Sequence, residues 1–258
     1  MSAPGPAATA RPDAPRGGPS RSVIAAVVAV LAVVAVVVAI VIGRAASTSP
    51  EPTSSAAPSA SASAQADPAK AVPTGAAGFG GPLVVNPGAP ANVPTLEVFE
   101  DPQCPICKQF EAAYGPTIAA MVKANQVKHV VHTMSFLDLN LHNDSSKRAA
   151  NAAFCAADQG KSAPYVQAVY AGQPATEGQG WTDEQLTGFA TGVGITGTGL
   201  DQWKACVAAG TYLAHVAALE TNSEKAGVSS TPTVKLNGQK LTNVTPDGLV
   251  AAVKAATR

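Results

Sequence analysis

Two cysteines, Cys104 and Cys107, stand two residues apart between an apolar stretch and a helical one. Thr95–Glu100 alternates in the manner of a β-strand, and Pro105 occupies a first-turn position that a helix tolerates. The pair is therefore predicted to lie where a strand passes into the N-terminus of a helix. Such a chain must adopt a fold that keeps the two thiols close enough to open and close a disulfide.

A helix N-terminus carries unpaired N–H groups that stabilise a thiolate. We predict that Cys104, the earlier of the two, is the nucleophile and that Cys107 is the resolving thiol that closes the ring and releases a mixed disulfide. A zinc half-site is an alternative, but no second Cys-x-x-Cys and no His-x-x-x-His follows. A static structural disulfide between Cys104 and Cys107 is a second alternative, although short disulfide rings at the start of a helix are generally reducible. We predict neither a metal nor a cofactor.

Thr231-Pro232 opens a second β-like run, Thr233–Leu236, which the turn residues Asn237-Gly238 follow. Most X-Pro bonds in folded proteins are trans. In a fold that places this strand opposite the dithiol, however, a cis bond would bring the Thr231 backbone beside Cys104. Its N–H and C=O could then pair with an extended substrate segment.

The other two cysteines, Cys155 and Cys206, are 51 residues apart, each in a predicted helix. They could be two buried free thiols. In an oxidising compartment, unpaired thiols beside a reactive dithiol would be a hazard, and we therefore predict a structural disulfide that pins helices together. In the loop-closure description, a ring of this size stabilises a protein by roughly 4 kcal/mol.

Acidic residues precede the dithiol. Glu100 or Glu97 could lie partly buried near Cys107 and relay its proton, with Glu100 as the candidate; a solvated carboxylate at a strand end is the alternative. The chain also has four histidines without ligand spacing, to which we assign no role: His129, His132, His142 and His215.

The N-terminal third is not predicted to fold with the rest. Val23–Gly43 is an uncharged apolar run that spans roughly 30 Å as a helix, the thickness of a bilayer core. A cleavable signal peptide is the alternative, since Ala45-Ala-Ser47 resembles a cleavage site. Arginines precede the run, so the N-terminus is predicted to be cytoplasmic and the remainder extracytoplasmic. The predicted organisation is a cytoplasmic tail at 1–22, a transmembrane signal anchor at 23–43, a disordered Ala/Ser/Pro linker at 44–80 and one domain at 81–258.

The predicted elements of that domain are strands and helices in the order β, β, α, β, a helical block, a β-hairpin and a final helix. Gly115-Pro116 is expected to kink or break the first helix. The ranges are strands over 82–85, 95–100 and 127–136, helices over 145–159, 163–172, 182–192 and 199–226, a hairpin over 233–241 and a helix over 245–256. Because the formal net charge is zero and no basic run is present, nucleic acid is not predicted as a partner.

Three stretches, Val98–Glu111, Arg148–Cys155 and Ser230–Gly238, resemble the DsbA-like thiol–disulfide oxidoreductases, and most closely the membrane-anchored kind of mycobacteria and other actinobacteria. The resemblance implies an α/β thioredoxin fold with an all-helical insertion at about 145–227. It also implies a second disulfide in the helical part, consistent with Cys155 and Cys206. One position departs from the best-known members, which have a thiolate-stabilising His where this chain has Ile106.

The resemblance further implies an oxidant that gives its disulfide to newly exported polypeptides and is re-oxidised by a quinone-linked membrane partner resembling vitamin K epoxide reductase. A disulfide reductase or isomerase on the same fold is one alternative function. A redox-inactive domain that holds unfolded peptide is another.

Overall fold

The computed structural model describes residues 70–242 and 244–257. The predicted cytoplasmic tail, transmembrane anchor and most of the predicted linker lie outside these residues. Within the described part, no helix is long and apolar enough to cross a membrane.

The described residues form a five-stranded sheet with helices around it, in the order β1–β3–β2–β4–β5. Strands β2 and β3 are parallel, and the other neighbouring pairs are antiparallel. The strands are β1 (Leu83–Val84), β2 (Thr95–Glu100), β3 (Lys128–Thr133), β4 (Thr233–Leu236) and β5 (Gln239–Lys240). The helices are α1 (Pro105–Lys123), α2 (Leu137–Leu141), α3 (Ser145–Asp158), α4 (Ser162–Ala171), α5 (Asp183–Gly192), α6 (Gly197–Ala208), α7 (Leu213–Lys225) and α8 (Pro246–Ala256).

Strand β2 leads into the active-site loop, residues 101–104, which precedes α1. It lies between β3 and β4, and its side chains are buried on both faces towards its C-terminal end. Leu96 and Val98 pack with Ile118 of α1 and Leu249 of α8 in one hydrophobic cluster. On the other face, Phe99 packs with residues that include Val228. This burial fixes the end of β2, and with it the start of α1.

The inserted helices α3–α7 have their own hydrophobic core. Helix α3 is buried along most of its length, and the fully buried Phe154, Tyr165 and Trp203 pack in this core. The fold is thus the predicted thioredoxin-like α/β sheet with a helical insertion. Strand β3 ends at Thr133, short of the predicted end at 136, and a short helix, α2, lies between this strand and the insertion.

Two helix boundaries differ from the predictions. Helix α1 runs unbroken through Pro116, because the helix packs along its length against the sheet and α8. The single helix predicted over 199–226 is two, α6 and α7. Gly210 has φ +59 between them, a left-handed conformation that glycine adopts without strain and that ends a helix.

The residues just before β1 pack against the helical insertion, although the sequence placed them in the linker. The Thr74 N–H and hydroxyl both donate to Asp158 Oδ1, at 3.0 and 2.8 Å. The Gly80 N–H donates to His215 Nδ1 at 3.1 Å, and His215 Nε2 lies 3.0 Å from the Gly81 carbonyl oxygen. Hydrogen bonds between the backbone of residues 74–81 and side chains of the insertion therefore hold this stretch in place. Composition does not reveal such bonds.

Candidate active site

Cys104 and Cys107 lie at the N-terminus of α1, as free thiols. Cys104 is the N-cap residue with an extended backbone, and Pro105 follows it as the first helical residue. The Cys104 side chain is 7% exposed, whereas Cys107 is fully buried one turn further on. Ile106, between them, is 54% exposed. Cys104 is therefore the thiol that an incoming sulfur can reach.

Thr231 faces this pair from the start of β4. The Thr231–Pro232 peptide bond is cis, and the Cys104 Sγ donates to the Thr231 carbonyl oxygen at 3.6 Å. Two segments 127 residues apart in the sequence thus meet at one sulfur atom.

The two thiols have opposite electrostatic environments. A hydrogen bond from Cys107 is the largest cause that lowers the pKa of Cys104 to about 6, and burial acts in the other direction. The Thr231 side chain and the backbone N–H groups of Cys107 and Ile106 lower this pKa further. Burial raises the pKa of Cys107 far above its ordinary value, and the hydrogen bond to Cys104 and the charge of Glu100 add to this. A thiolate therefore forms at Cys104, and Cys107 keeps its proton.

Glu100, the predicted relay, is 2% exposed at the end of β2. Burial raises its carboxyl pKa well above the usual range, and the nearby charge and hydrogen bond of Glu111 raise it further. Its Oε1 has no hydrogen-bond partner among the described residues. Glu97 lies elsewhere, with Oε1 3.3 Å from His132 Nε2. Glu100 is therefore the acidic residue of the two that faces the dithiol.

Glu111 also belongs to the site, although no sequence pattern was taken to predict it. It follows Cys107 by four residues on α1, so the two side chains share a face of the helix. Burial raises its pKa as well, while the hydrogen bond with Glu100 lowers it. Glu111 lines a cavity of about 270 Å³, together with Glu100 and Gln167. The helical spacing from Cys107 was the signal that could have found it.

A buried polar network lies beneath the loop that precedes Cys104. The Asp101 Oδ1 accepts from the Gln103 N–H at 2.9 Å and from the Ser146 hydroxyl at 2.5 Å, and its Oδ2 accepts from the Leu137 N–H at 3.1 Å. The Gln103 Nε2 donates to Asp138 Oδ1 at 3.0 Å. The sequence predicts only that a strand passes into a helix here. In the structure it ties the end of β2 to α2 and α3.

The helical insertion also contacts the dithiol directly. The buried Tyr170 of α4 packs against Cys104 and Cys107. After the end of α4, the Gln173 Nε2 donates to the carbonyl oxygens of Pro102 at 2.8 Å and Cys104 at 3.0 Å. Neither residue carried a signal in the sequence, because both act across the boundary between the insertion and the sheet.

Cys155 and Cys206 form a disulfide between α3 and α6, with a Cα–Cα distance of 5.9 Å. Both sulfurs belong to the core of the helical insertion, a different cluster from the one that holds the dithiol. The structure therefore contains the predicted pairing and separates it from the reactive pair.

One histidine, His129, lines the same cavity as Glu100 and Glu111. The His215 side chain holds the backbone of Gly80 and Gly81, and His132 stacks on Phe99 at 3.8 Å between ring centroids. Burial lowers the pKa of His129 and of His132 to about 4. Within residues 70–242 and 244–257, no group of three or more His, Cys, Asp or Glu side chains could hold a metal ion.

Comparison with known proteins agrees with this geometry. The DsbA of Mycobacterium tuberculosis, in its oxidised form, is 30% identical with a TM-score of 0.55, over 64% of this chain and 83% of that structure. MdbA, a thiol-disulfide oxidoreductase from Actinomyces oris, shares the fold at 21% identity, with a TM-score of 0.61, over 71% of this chain and 91% of that structure.

Among curated proteins, the chain matches the serine/threonine-protein kinase PknE of M. tuberculosis, with 29% identity over 138 residues. The match covers 51% of this chain but only 24% of the kinase, so it concerns a segment of that protein. The sequence model of the thioredoxin family matches residues 84–255, more than half of the chain. The chain therefore belongs to the thioredoxin family, as a DsbA-like member.

Proposed function

We propose that this protein is an extracytoplasmic thiol–disulfide oxidoreductase that introduces disulfides into exported proteins through Cys104 and Cys107. The observation that carries the proposal is the position of Cys104 at the N-terminus of α1, facing the cis Thr231-Pro232 bond, with Cys107 buried one turn further on. The opposite directions of the two thiol pKa shifts agree with this arrangement. A dithiol whose outer sulfur is stabilised as a thiolate favours its reduced form, and a stable reduced form makes the disulfide form an oxidant.

The reaction follows from this asymmetry. A substrate thiolate attacks the Cys104 sulfur of the disulfide form, a bond forms between these two sulfurs, and the bond to Cys107 breaks. Cys107 leaves with the electron pair and takes a proton, because its pKa is raised. A second substrate thiolate then attacks the substrate sulfur of the mixed disulfide, and Cys104 leaves as a thiolate. Two electrons have passed from the substrate to the protein.

Glu100 is proposed as the proton donor for Cys107. Burial raises its carboxyl pKa well above the usual range and so favours the protonated form, and its charge would act on Cys107 if it ionised. A neutral acid beside a sulfur that leaves as a thiolate supplies the proton which that sulfur needs. The reverse transfer occurs when Cys107 is re-oxidised.

Reduced, unfolded exported polypeptides are the proposed substrates. Thr231 presents its backbone next to the Cys104 sulfur, where an extended segment can pair with it. The membrane location rests on the apolar run at 23–43, and the proposed quinone-linked re-oxidant rests on the resemblance to anchored DsbA-like proteins. Re-oxidation of the dithiol by membranes with and without quinone tests this last partner.

The direction of exchange is tested by equilibrating the protein with mixtures of reduced and oxidised glutathione. We expect a potential well above that of a reducing thioredoxin, because the Cys104 thiolate stabilises the dithiol form. A potential as low as thioredoxin's would contradict an oxidant and favour the reductase alternative.

The dependence on Cys104 is tested by oxidative refolding of a reduced substrate protein. We expect Cys104→Ala to abolish the acceleration of refolding, with Ile106→Ala as the control in the same loop. Refolding that is equally fast with Cys104→Ala would favour a redox-inactive peptide-binding domain.

A further inference from the structure

One side chain of the helical insertion makes hydrogen bonds to the backbone of the active-site loop. Gln173 is 9% exposed, and its amide group donates two hydrogen bonds, to the carbonyl oxygens of Pro102 and Cys104. The Lys108 Nζ, in the first turn of α1, donates back to the Gln173 carbonyl oxygen at 3.2 Å. Three hydrogen bonds therefore link Gln173 to residues around the nucleophile. Each joins residues that are at least 65 positions apart in the sequence.

Gln173 is itself held firmly. Its N–H donates to the Tyr170 carbonyl oxygen at 3.2 Å, which closes the end of α4. The neighbouring Gly172 accepts from the Trp181 Nε1 at 3.2 Å, and the Phe189 ring lies so close that a Cβ on Gly172 would be 2.4 Å from it. A side chain on such a rigid support can fix the orientation of the group it contacts.

The orientation of the Cys104 peptide group affects the direction of the Cys104 side chain. The Cys104 carbonyl oxygen already accepts from the Lys108 N–H at 3.2 Å, the first backbone hydrogen bond of α1. A carbonyl oxygen has two lone pairs, and Gln173 occupies the second. Turning this peptide group would turn the Cys104 side chain relative to the N–H groups of Ile106 and Cys107.

We propose that Gln173 is a positioning residue that holds Cys104 at the helix N-terminus, so that the helical insertion sets the geometry of the nucleophile. The inference rests on the proposed thiol–disulfide exchange and adds a residue outside the thioredoxin-like sheet to it. Without the Gln173 amide, the Pro102 carbonyl loses this donor and the Cys104 carbonyl keeps only the Lys108 N–H. The loop relaxes, and the Cys104 thiolate loses part of its contact with the N–H groups of the helix.

The test is the pH profile of Cys104 alkylation by iodoacetamide in the reduced protein. Gln173→Met keeps the side-chain volume and removes both donors, and Gln202→Met, at an exposed position of α6 in the same insertion, is the matched control. We expect Gln173→Met to react about three to ten times more slowly than the native protein at pH 6, because each unit of pKa is a tenfold change. Above the thiol pKa, the two rates should converge.

The same substitution should shift the equilibrium with glutathione towards the disulfide form by a similar factor. A pH profile of Gln173→Met that superimposes on the native one would overturn the proposal, and so would an equal shift in Gln202→Met. Should Gln173→Met not fold, Gln173→Ala is measured in its place. A thioredoxin-like potential of the native protein would contradict the oxidant function alone, since the alkylation comparison does not depend on the direction of exchange.

Discussion

At the scale of single residues, two identical side chains acquire different chemistry from their positions. Cys104 caps α1 and is stabilised as a thiolate, while Cys107, one turn further on, is buried beside Glu100. Exposure follows the same order, so the nucleophile is accessible and the resolving thiol is not. The exposed Ile106 contributes no hydrogen bond from its side chain, and the thiolate is stabilised by Cys107, by the Thr231 side chain and by backbone N–H groups.

Glu100→Gln should slow the opening of the Cys104–Cys107 disulfide by a substrate thiolate. The amide cannot transfer a proton to Cys107 as it leaves, and general acid catalysis of this kind typically contributes about a hundredfold or more. Stopped-flow reaction of the oxidised protein with a reduced peptide measures this step. Glu97→Gln, whose side chain pairs with His132, is the control. An unchanged opening rate in Glu100→Gln would remove Glu100 from the mechanism.

At the scale of elements, helices α3 and α6 are cross-linked, and α6 and α7 are separated at Gly210. The cross-link lies in the core of the insertion, where Trp203 of α6 also donates to the Ala152 carbonyl oxygen of α3 at 3.0 Å. The disulfide therefore reinforces a contact that side-chain packing already makes.

Replacing Cys155 and Cys206 together by Ala should lower the free energy of unfolding by roughly 4 kcal/mol, because the unfolded chain loses a long closed loop. Chemical denaturation of the two proteins measures the difference. The glutathione equilibrium of Cys104 and Cys107 should stay the same, since the two pairs belong to separate clusters. A changed equilibrium would mean that the bridge also acts on the redox site.

At the scale of the whole molecule, the active-site loop is the place where the sheet and the insertion are joined. Gln173, just after α4, donates a hydrogen bond to the loop backbone, and Ser146 of α3 donates one to Asp101 in the loop. Burial raises the pKa of Asp101 from 3.8 to about 7, while its hydrogen bonds act in the other direction. Joining the two parts through a buried carboxyl group makes the stability of the molecule depend on pH.

The Asp101 contribution has a defined sign. Between about pH 4 and pH 7, the folded protein keeps a proton on Asp101 that the unfolded chain has lost. Stability from this group is therefore full below pH 4 and falls as the pH rises to 7. Relative to Asp101→Asn, the native free energy of unfolding should fall across this window by at most about 4 kcal/mol. A pH-independent difference in denaturation would contradict the raised pKa.

The local features of this protein follow from its amino-acid pattern. Hydrophobic alternation located β2, Pro105 and the preceding turn located the start of α1, and the Asn237-Gly238 pair located the hairpin, where both residues have positive φ. These signals are local because backbone sterics and side-chain periodicity act over a few residues. The cysteine spacing identified the dithiol for the same reason.

Only the tertiary structure decided which other residues join the site. Glu111, Asp101 and Gln173 are ordinary polar residues in the sequence, and their roles come from burial and from hydrogen bonds to distant segments. The same holds for residues 70–80, whose composition predicted a tether but whose backbone pairs with α3 and α7. Desolvation depends on the packing of the whole chain, so no local pattern encodes it.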